Sequence, residues 1–412
     1  MEEEPMRLPL RRRPVQEICA MDCGEDVLDL ILERVDSVVS LIRAASVCKR
    51  WRRAIADAAF LRRFRSLHAP TVAGYYHNGT RLPHPASGVG AAPTEGTGRG
   101  FVPSSPSMDA RHFSLDFLPD RGESWNIVDS RGCLLLMQRW GDANSWVGIG
   151  FPDCVVCEPL TRRYRRVPFS QLEDFNENCR FIRPFLIDGV MDQMGNCIGL
   201  SNFRMLCLFQ RNSVSHTAVF MASDESNCSW SKMAICQAMP SLGVPLGRVG
   251  SSWYFYIQGG MLIVLNRGTG VFSASMLPAI EDWDIRRWRS NVFIIEGRDG
   301  KPRMLTLFDD NLKVFARLDG GEWALEKRVL LSEVTRSLPG YQPSFFSSPQ
   351  RVLTVGVGFI ILSPPKFLAS EGQWAFSLDL ETMEAAPAVR AMGYSVYQLE
   401  FPWPPSLHTC LD

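Results

Sequence analysis

The sequence of 412 residues has no excess charge of either sign and no long apolar run. Lys plus Arg and Asp plus Glu both number 44, so the chain has no net field to attract nucleic acid or an anionic membrane. The longest apolar run, Val355 to Leu362, is far shorter than the roughly 20 residues of a membrane-spanning helix. We therefore expect neither nucleic acid nor a membrane to be a partner.

Patterns typical of catalysis or metal binding are also scarce. The six histidines form no His-x-x-x-His pair, and the sequence contains no Gly-x-Ser-x-Gly nucleophile motif. The single Cys-x-x-Cys, Cys154 to Cys157, falls in a predicted strand, where side chains three residues apart point to opposite faces. The two thiols therefore cannot bind one metal ion. We predict a protein that is not an enzyme, with no catalytic residue, no metal and no cofactor.

The cysteines and the first residues bear on localisation. Twelve cysteines are scattered along the chain, several of them inside apolar runs, such as Cys133 and Cys207. This usage is typical of reduced core residues in a protein of the cytoplasm, the nucleus or both. Residues 1–20 contain the basic stretch Arg7 to Arg13 and no apolar signal segment, and we predict a disordered basic tail.

Residues 21–68 have the periodicity of three short amphipathic helices. Leu28, Ile31, Leu32 and Val35 are predicted to lie on one apolar face of the first helix. Ser37 and Ser46 are placed to cap the second and third helices. So small a domain buries little surface and usually needs a partner or a host domain to stay folded. The alternative is a three-helix bundle with no partner.

Two motifs in this segment resemble those of the F-box, the module that attaches a protein to the Skp adaptor of an SCF (Skp–cullin–F-box) ubiquitin ligase. Asp26-Val-Leu begins the first helix, and Val47-Cys-Lys-Arg-Trp51 follows the second. Cys23-Gly24 stands where the family usually has Leu-Pro. The basic residues of 49–53 are either a solvated face or a complement to an acidic adaptor. The resemblance implies an adaptor-binding set of Asp26, Val27, Leu28, Ile31, Leu32, Leu41, Val47, Cys48 and Trp51.

The rest of the chain predicts a connector and a large β domain, so the fold class is α+β and multidomain. Residues 69–109 are predicted to be a connector, because 83–107 are rich in Gly, Pro and Ser. Residues 110–412 contain short runs of apolar and aromatic residues between turn clusters, which predict a mainly antiparallel β domain.

A repeated turn signal favours a particular β architecture. Glu158 to Thr161, Asn266 to Thr269 and Asp379 to Thr382 each join two predicted strands, and their first residues are 108 and 113 positions apart. Propeller blades contain roughly 40–50 residues, so each interval corresponds to two blades. We predict a β-propeller of about six blades. A β-sandwich or an irregular barrel is the alternative.

An F-box followed by such a domain resembles the plant F-box families with a C-terminal F-box-associated β-propeller, loosely related to kelch proteins. The resemblance implies the substrate-recognition subunit of an SCF ligase, which binds a Skp-family adaptor, through it a cullin, and a protein substrate. The alternative is a propeller that binds a small molecule or glycan without a ligase role.

One connection in the β domain is a candidate for binding the substrate. The segment from Glu281 to Arg289 is rich in Trp and Arg, the residue types that dominate binding energy at interfaces. Its alternative role is a charged connection between blades. The candidate substrate-binding residues are Trp283, Arg286, Arg287 and Trp288.

Overall fold

The computed structural model describes most of the chain. The described residues are 25–68, 70–78, 100–105, 108–122, 124–139, 151–172, 179–192, 195–196, 198–211, 214–222, 229–233, 244–257, 260–278, 292–347, 350–364, 374–388 and 396–404. The chain divides into two compact units, which we call the helical unit and the β unit. The first comprises Met1–Ala69 with Pro405–Asp412, and the second comprises Pro70–Pro404.

The helical unit has four described helices, where the sequence predicted three. They are α1 (Glu25–Glu33), α2 (Val38–Val47), α3 (Lys49–Ala56) and α4 (Ala58–Leu67). The extra helix begins because Asp57, in an extended conformation, accepts hydrogen bonds from the amides of Ala59 and Phe60, both at 2.9 Å. An aspartate in this position ends one helix and caps the next. The apolar residues that face inward on the four helices include Leu28, Leu32, Leu41, Ala45, Ile55, Phe60 and Phe64.

The two predicted serine caps have different outcomes. Ser37 caps α2 as predicted, because its hydroxyl oxygen accepts from the amide of Ser40 at 3.2 Å. The prediction for Ser46 is wrong, since α3 begins after Cys48, which makes no side-chain cap. The Ser46 hydroxyl instead donates back to the carbonyl of Arg43 at 2.6 Å, as serines inside helices often do.

The β unit consists of short strands with few helical turns. Its described strands are β1 (Val72–His77), β2 (Gly100–Pro103), β3 (Asn126–Arg131), β4 (Leu134–Arg139), β5 (Asp153–Glu158), β6 (Arg163–Val167), β7 (Cys179–Ile187), β8 (Arg204–Arg211), β9 (Val214–Met221), β10 (Ser229–Met233), β11 (Val244–Val249), β12 (Ser252–Ile257), β13 (Met261–Asn266), β14 (Phe272–Met276), β15 (Val292–Glu296), β16 (Pro302–Phe308), β17 (Asn311–Arg317), β18 (Trp323–Leu330), β19 (Arg351–Gly356), β20 (Phe359–Ser363), β21 (Phe376–Asp379), β22 (Ala385–Pro387) and β23 (Val396–Glu400). A short helix, α5 (Leu331–Val334), follows β18.

The strands form antiparallel meanders, as the sequence predicted for this domain. Strands β3–β6, β7–β10 and β19–β22 each make a four-stranded sheet. Strands β11–β14 and β15–β18 are two further meanders, joined into one sheet by a single parallel bridge between Gly247 and Ile294. The first strands of these meanders lie close to one another, with β3 next to β7 and β15 next to β19. The sheets therefore follow one another in a curled, propeller-like arrangement.

A three-stranded sheet joins the two ends of the β unit. Strand β23 pairs antiparallel with β1, which pairs in turn with β2. Strand β23 also lies against both β3 and β19. Strands β1 and β2 come from residues 69–109, which the sequence predicted to be a connector. The difference arises because the strand that completes this sheet, β23, lies about 300 residues further along the chain, so no local pattern indicates the pairing. Residues 79–99, most of the Gly-, Pro- and Ser-rich stretch, lie outside the described residues.

Apolar clusters fill the spaces between successive sheets. One cluster combines Leu134 and Val156 of the first four-stranded sheet with Leu186 and Phe209 of the next. Further clusters join the later pairs of sheets in the same way. A strand buried on both faces reads as a continuous apolar run, as the central strands of these sheets do. The sheets are held together face to face by these cores.

Strand β5 shows how the two cysteines of the Cys-x-x-Cys motif are used. Cys154 packs in the core shared with the following sheet, and Cys157 packs in the core on the opposite face. Both thiols are buried, and burial raises the pKa of each. The predicted separation of these side chains onto opposite faces is confirmed.

In two of the three repeated turns the first side chain accepts hydrogen bonds from backbone amides two and three residues further on. The Asn266 side chain accepts from the amides of Gly268 and Thr269 at 2.9 and 3.1 Å, and Asp379 accepts from those of Glu381 and Thr382 at 2.8 and 3.0 Å. In the first turn the carboxylate of Glu158 accepts from the Thr161 hydroxyl instead. All three turns join the third and fourth strands of a meander, and one meander lies between each pair of turns.

Candidate functional site

Helix α1 carries apolar side chains on two faces. Leu28 and Leu32 are buried, whereas Val27, Leu30 and Ile31 are about half exposed. The three exposed residues are spaced i, i+3 and i+4, so they form one continuous row along the helix, which we call the apolar row. A surface helix with a second apolar face is typical of a contact with another protein.

The structure divides the predicted adaptor-binding residues into three groups. Leu28, Leu32 and Leu41 are buried, so they support the helices rather than face outward. Val27, Ile31 and Val47 are exposed. Cys48 and Trp51 are partly buried, and the Asp26 side chain lies outside the described residues.

The sequence interpretation erred in two respects on α1. It placed Ile31 on the same apolar face as Leu28 and Leu32, but the structure buries the two leucines and leaves Ile31 about half exposed. It also missed Leu30, which is 57% exposed. The signal was available, because Val27, Leu30 and Ile31 have helical spacing. With apolar residues on both sides of the helix, periodicity alone could not indicate which stripe is the inner one.

Charged contacts attach α4 to α1 without involving the apolar row. Arg63 donates from Nε to Glu33 at 2.7 Å and from Nη2 to Asp29 at 2.9 Å. The hydrogen bond to Glu33 is the main cause that raises the pKa of Arg63. The His68 ring nitrogen lies 2.6 Å from the carbonyl oxygen of Glu33. The polar side of α1 is thus engaged within the unit, and the apolar row remains exposed.

The candidate substrate-binding residues of the β unit are not described by the structure. Trp283, Arg286, Arg287 and Trp288 all lie in residues 279–291, outside the described ranges. Their role therefore stays a prediction.

The β unit contains a buried ion pair that the sequence did not reveal. Arg267, in the β13–β14 turn, is 2% exposed and donates from Nη2 to Oδ2 of Asp129, which is fully buried, at 2.9 Å. Arg267 also donates to the carbonyls of Leu186 and Ser130, at 2.8 and 3.0 Å. Burial lowers the pKa of Arg267 to about 10, which leaves the side chain charged at neutral pH. The pair links three successive sheets, so its role is structural.

Neither a membrane helix nor a metal cluster is found in the described part of the chain. No helix there is long and apolar enough to cross a bilayer. No group of three His, Cys, Asp or Glu side chains in those same ranges is placed to hold a metal ion.

Comparisons with known proteins identify one domain. Residues 23–63 match the family model of the F-box domain. No curated protein matches the chain.

Several solved structures are distantly similar. The β-propeller domain of Cps50 (Swd1) from Myceliophteria thermophila is 9% identical, with 63% of this chain and 71% of that chain covered and a TM-score of 0.33. The WD40 domain of SCAP from fission yeast is 5% identical, with 61% and 72% covered and a TM-score of 0.31. A 6-phosphogluconolactonase homologue from Bacteroides uniformis is 11% identical, with 80% and 100% covered and a TM-score of 0.33. Similarity this distant carries no information on function.

The matched segment contains α1–α3 and the first half of α4. It includes the apolar row and the Val47-to-Trp51 motif. Residues 23–63 of this chain are an F-box domain.

Proposed function

We propose that the protein is the substrate-recognition subunit of an SCF ubiquitin ligase. The F-box binds a Skp-family adaptor and through it a cullin, and the β unit binds a protein substrate. The observation that carries this proposal is the apolar row of Val27, Leu30 and Ile31, exposed on α1 within the F-box match.

The apolar row supports adaptor binding through its energetics. Complete burial of a Val, Leu or Ile side chain is worth about 1.5–3 kcal/mol relative to full exposure. The three residues are roughly half exposed, so covering them by a partner contributes about half that amount each. Three adjacent side chains of this kind can form the centre of a small interface.

The β unit, in this proposal, is a six-bladed propeller of the type found in plant F-box proteins with an F-box-associated domain. The support is the repeated meander, together with the sheet in which β23, β1 and β2 join the two ends of the unit. A closed ring leaves few unpaired strand edges and presents a rigid surface to a substrate.

We propose that the protein acts by bringing its substrate close to the ubiquitin-conjugating enzyme, and that this chain itself carries out no chemical step. Holding a substrate near the ubiquitin-conjugating enzyme raises the effective concentration of its lysines. We further propose that the protein is non-catalytic and acts in the cytoplasm or the nucleus.

Two matched leucine variants test adaptor binding. Leu30 and Leu67 are similarly exposed, at 57% and 63%, but Leu67 lies outside the F-box match. The full chain is co-expressed with a Skp-family adaptor and purified through a tag on the chain. Leu30→Glu places a charge in the proposed interface, and we expect a loss of binding of about 2–4 kcal/mol, or roughly 30-fold or more. Leu67→Glu should retain the adaptor.

Circular dichroism of both variants checks that the helices remain folded. If Leu30→Glu keeps its full affinity for the adaptor, the apolar row is not the interface and the proposal fails. If Leu67→Glu loses the adaptor to the same extent, the effect is not specific to the apolar row, and the proposal fails in this case too.

A further inference from the structure

Two arginine–tryptophan stacks in the β unit have the same distance between guanidinium and ring but different partners. In the first, the guanidinium carbon of Arg139 lies 4.8 Å from the ring centroid of Trp125. Arg139 forms ion pairs with Asp120 and Asp153, and the Trp125 indole donates to the carbonyl of Pro119 at 3.1 Å. Every component of this stack therefore has a polar partner.

In the second stack these partners are missing. The guanidinium carbon of Arg183 also lies 4.8 Å from the ring centroid of its tryptophan, Trp253. Arg183 forms one hydrogen bond, from Nη2 to the carbonyl of Val128 at 3.1 Å, and no ion pair with any residue that the structure describes. Its Nε and the Nε1 of Trp253 are both buried without a hydrogen-bond partner.

The backbone places Arg183 at an irregularity. Strand β7 has a bulge between Phe181 and Arg183, and bulges redirect side chains and are frequent beside binding sites. The guanidinium also lies 5.7 Å from the ring of Phe185. Arg183 is only partly buried as a residue, although its Nε atom is enclosed.

No described residue accepts a hydrogen bond from Arg183 Nε or Trp253 Nε1. A cation partly withdrawn from water and packed against aromatic rings is costly unless an acceptor compensates it. The buried indole N–H of Trp253 needs an acceptor as well. At the Arg139 stack, two carboxylates and a carbonyl supply these acceptors.

We propose that Arg183 and Trp253 form a subsite for a small oxyanion, a phosphate or a carboxylate group, in the β unit. The guanidinium supplies the charge, and Nε of Arg183 and Nε1 of Trp253 supply hydrogen-bond donors. The inference is independent of the proposed ligase function, because it rests only on residues of the β unit.

Anion titrations of the full chain test this subsite. The thermal unfolding midpoint is measured, and the binding affinity is determined by isothermal titration calorimetry, with sodium phosphate or sodium acetate at pH 7. Sodium chloride at the same ionic strength is the reference. We expect a saturable stabilisation by at least one of the two anions. The phosphate and acetate arms distinguish the two kinds of oxyanion.

Three variants locate the effect. Arg183→Met keeps most of the side-chain volume and should bind the anion at least about tenfold more weakly. Trp253→Phe keeps an aromatic ring for the stack, removes the N–H, and should weaken binding severalfold. The matched control Arg139→Met breaks the fully partnered stack and should leave the anion affinity unchanged.

Two results would overturn the proposal. One is the absence of saturable binding by either anion to the wild-type chain, which means that water satisfies the two donors. The other is an affinity in Arg183→Met equal to that of the wild type. Should Arg183→Met fail to fold, Trp253→Phe decides the question, and unchanged affinity in that variant contradicts the proposal.

Discussion

The buried pair of Arg267 and Asp129 yields the prediction for which the structure supplies the most detail. Replacing Arg267 by Met fills a similar volume without the charge. The substitution removes the donors to three acceptors, Oδ2 of Asp129 and the carbonyls of Leu186 and Ser130. Asp129 keeps two hydrogen bonds, from the amides of Leu186 and Ser130, both at 2.8 Å. The buried carboxylate then has backbone donors but has lost its closest cation.

The cost follows from the loss of one partner. Removing one member of a buried ion pair typically destabilises a protein by about 3–5 kcal/mol, because the other charge is left uncompensated. The expected cost lies at the lower end of this range, because the two amide donors and Arg248, at 3.8 Å from Oδ1, still compensate the charge of Asp129. We therefore expect Arg267→Met to lower the free energy of unfolding of the β unit by about 3 kcal/mol.

A double-mutant cycle separates the pair from its surroundings. Asp129→Asn leaves Arg267 as a buried cation and should cost a similar amount. The double variant should cost less than the sum of the singles, by about 1–3 kcal/mol, because both charges are gone. Urea unfolding followed by tryptophan fluorescence measures each variant.

The control for this cycle is an exposed ion pair. Lys301 and Asp319 lie 3.5 Å apart and both are largely exposed, so Lys301→Met should change stability by less than about 1 kcal/mol. If Arg267→Met is no more destabilising than Lys301→Met, the buried network does not hold the sheets together. Additive single and double variants would likewise refute the coupling.

Two further substitutions test the β unit. Gly247 has φ of +149°, and a Cβ there would lie 1.9 Å from the carbonyl oxygen of Ile294. Gly247→Ala should therefore lower the thermal unfolding midpoint far more than Gly300→Ala, because φ is also positive at Gly300 but the space around it is open. Equal midpoints for the two variants would contradict the close approach of these strands. The amides of Thr382 and Glu381, and then Arg298, lower the pKa of Asp379 in the folded chain. The carboxylate therefore contributes stability above its unfolded pKa of roughly 4, and this contribution is lost as the pH falls through the lower folded value. Asp379→Asn should be less stable than the wild type at pH 6, with a difference that shrinks toward pH 2; a constant difference in urea unfolding would argue against the shift.

Local patterns predicted the parts of the fold that local forces decide. The Ser37 cap and the Asn266 and Asp379 turns depend on residues two or three positions apart, so their chemistry is visible in the sequence. The positions of Cys154 and Cys157 follow from the twofold alternation of a strand. The apolar run from Val355 to Leu362 was less informative, because it covers the end of β19 and most of β20, which are separated by a turn at Gly358 with φ of +73°.

The sequence by itself determined that an F-box domain precedes a β domain built from antiparallel meanders. Tertiary structure decided which face of α1 is exposed, since apolar residues lie on both faces and only the packing of the other helices selects the buried one. It also decided that β23 pairs with β1, that Arg267 neutralises Asp129, and that Arg183 stacks on Trp253 without forming an ion pair among the described residues. Each of these contacts joins residues that are about 70 or more positions apart. Such contacts form only when the whole β unit is assembled, and no short stretch of sequence contains both partners.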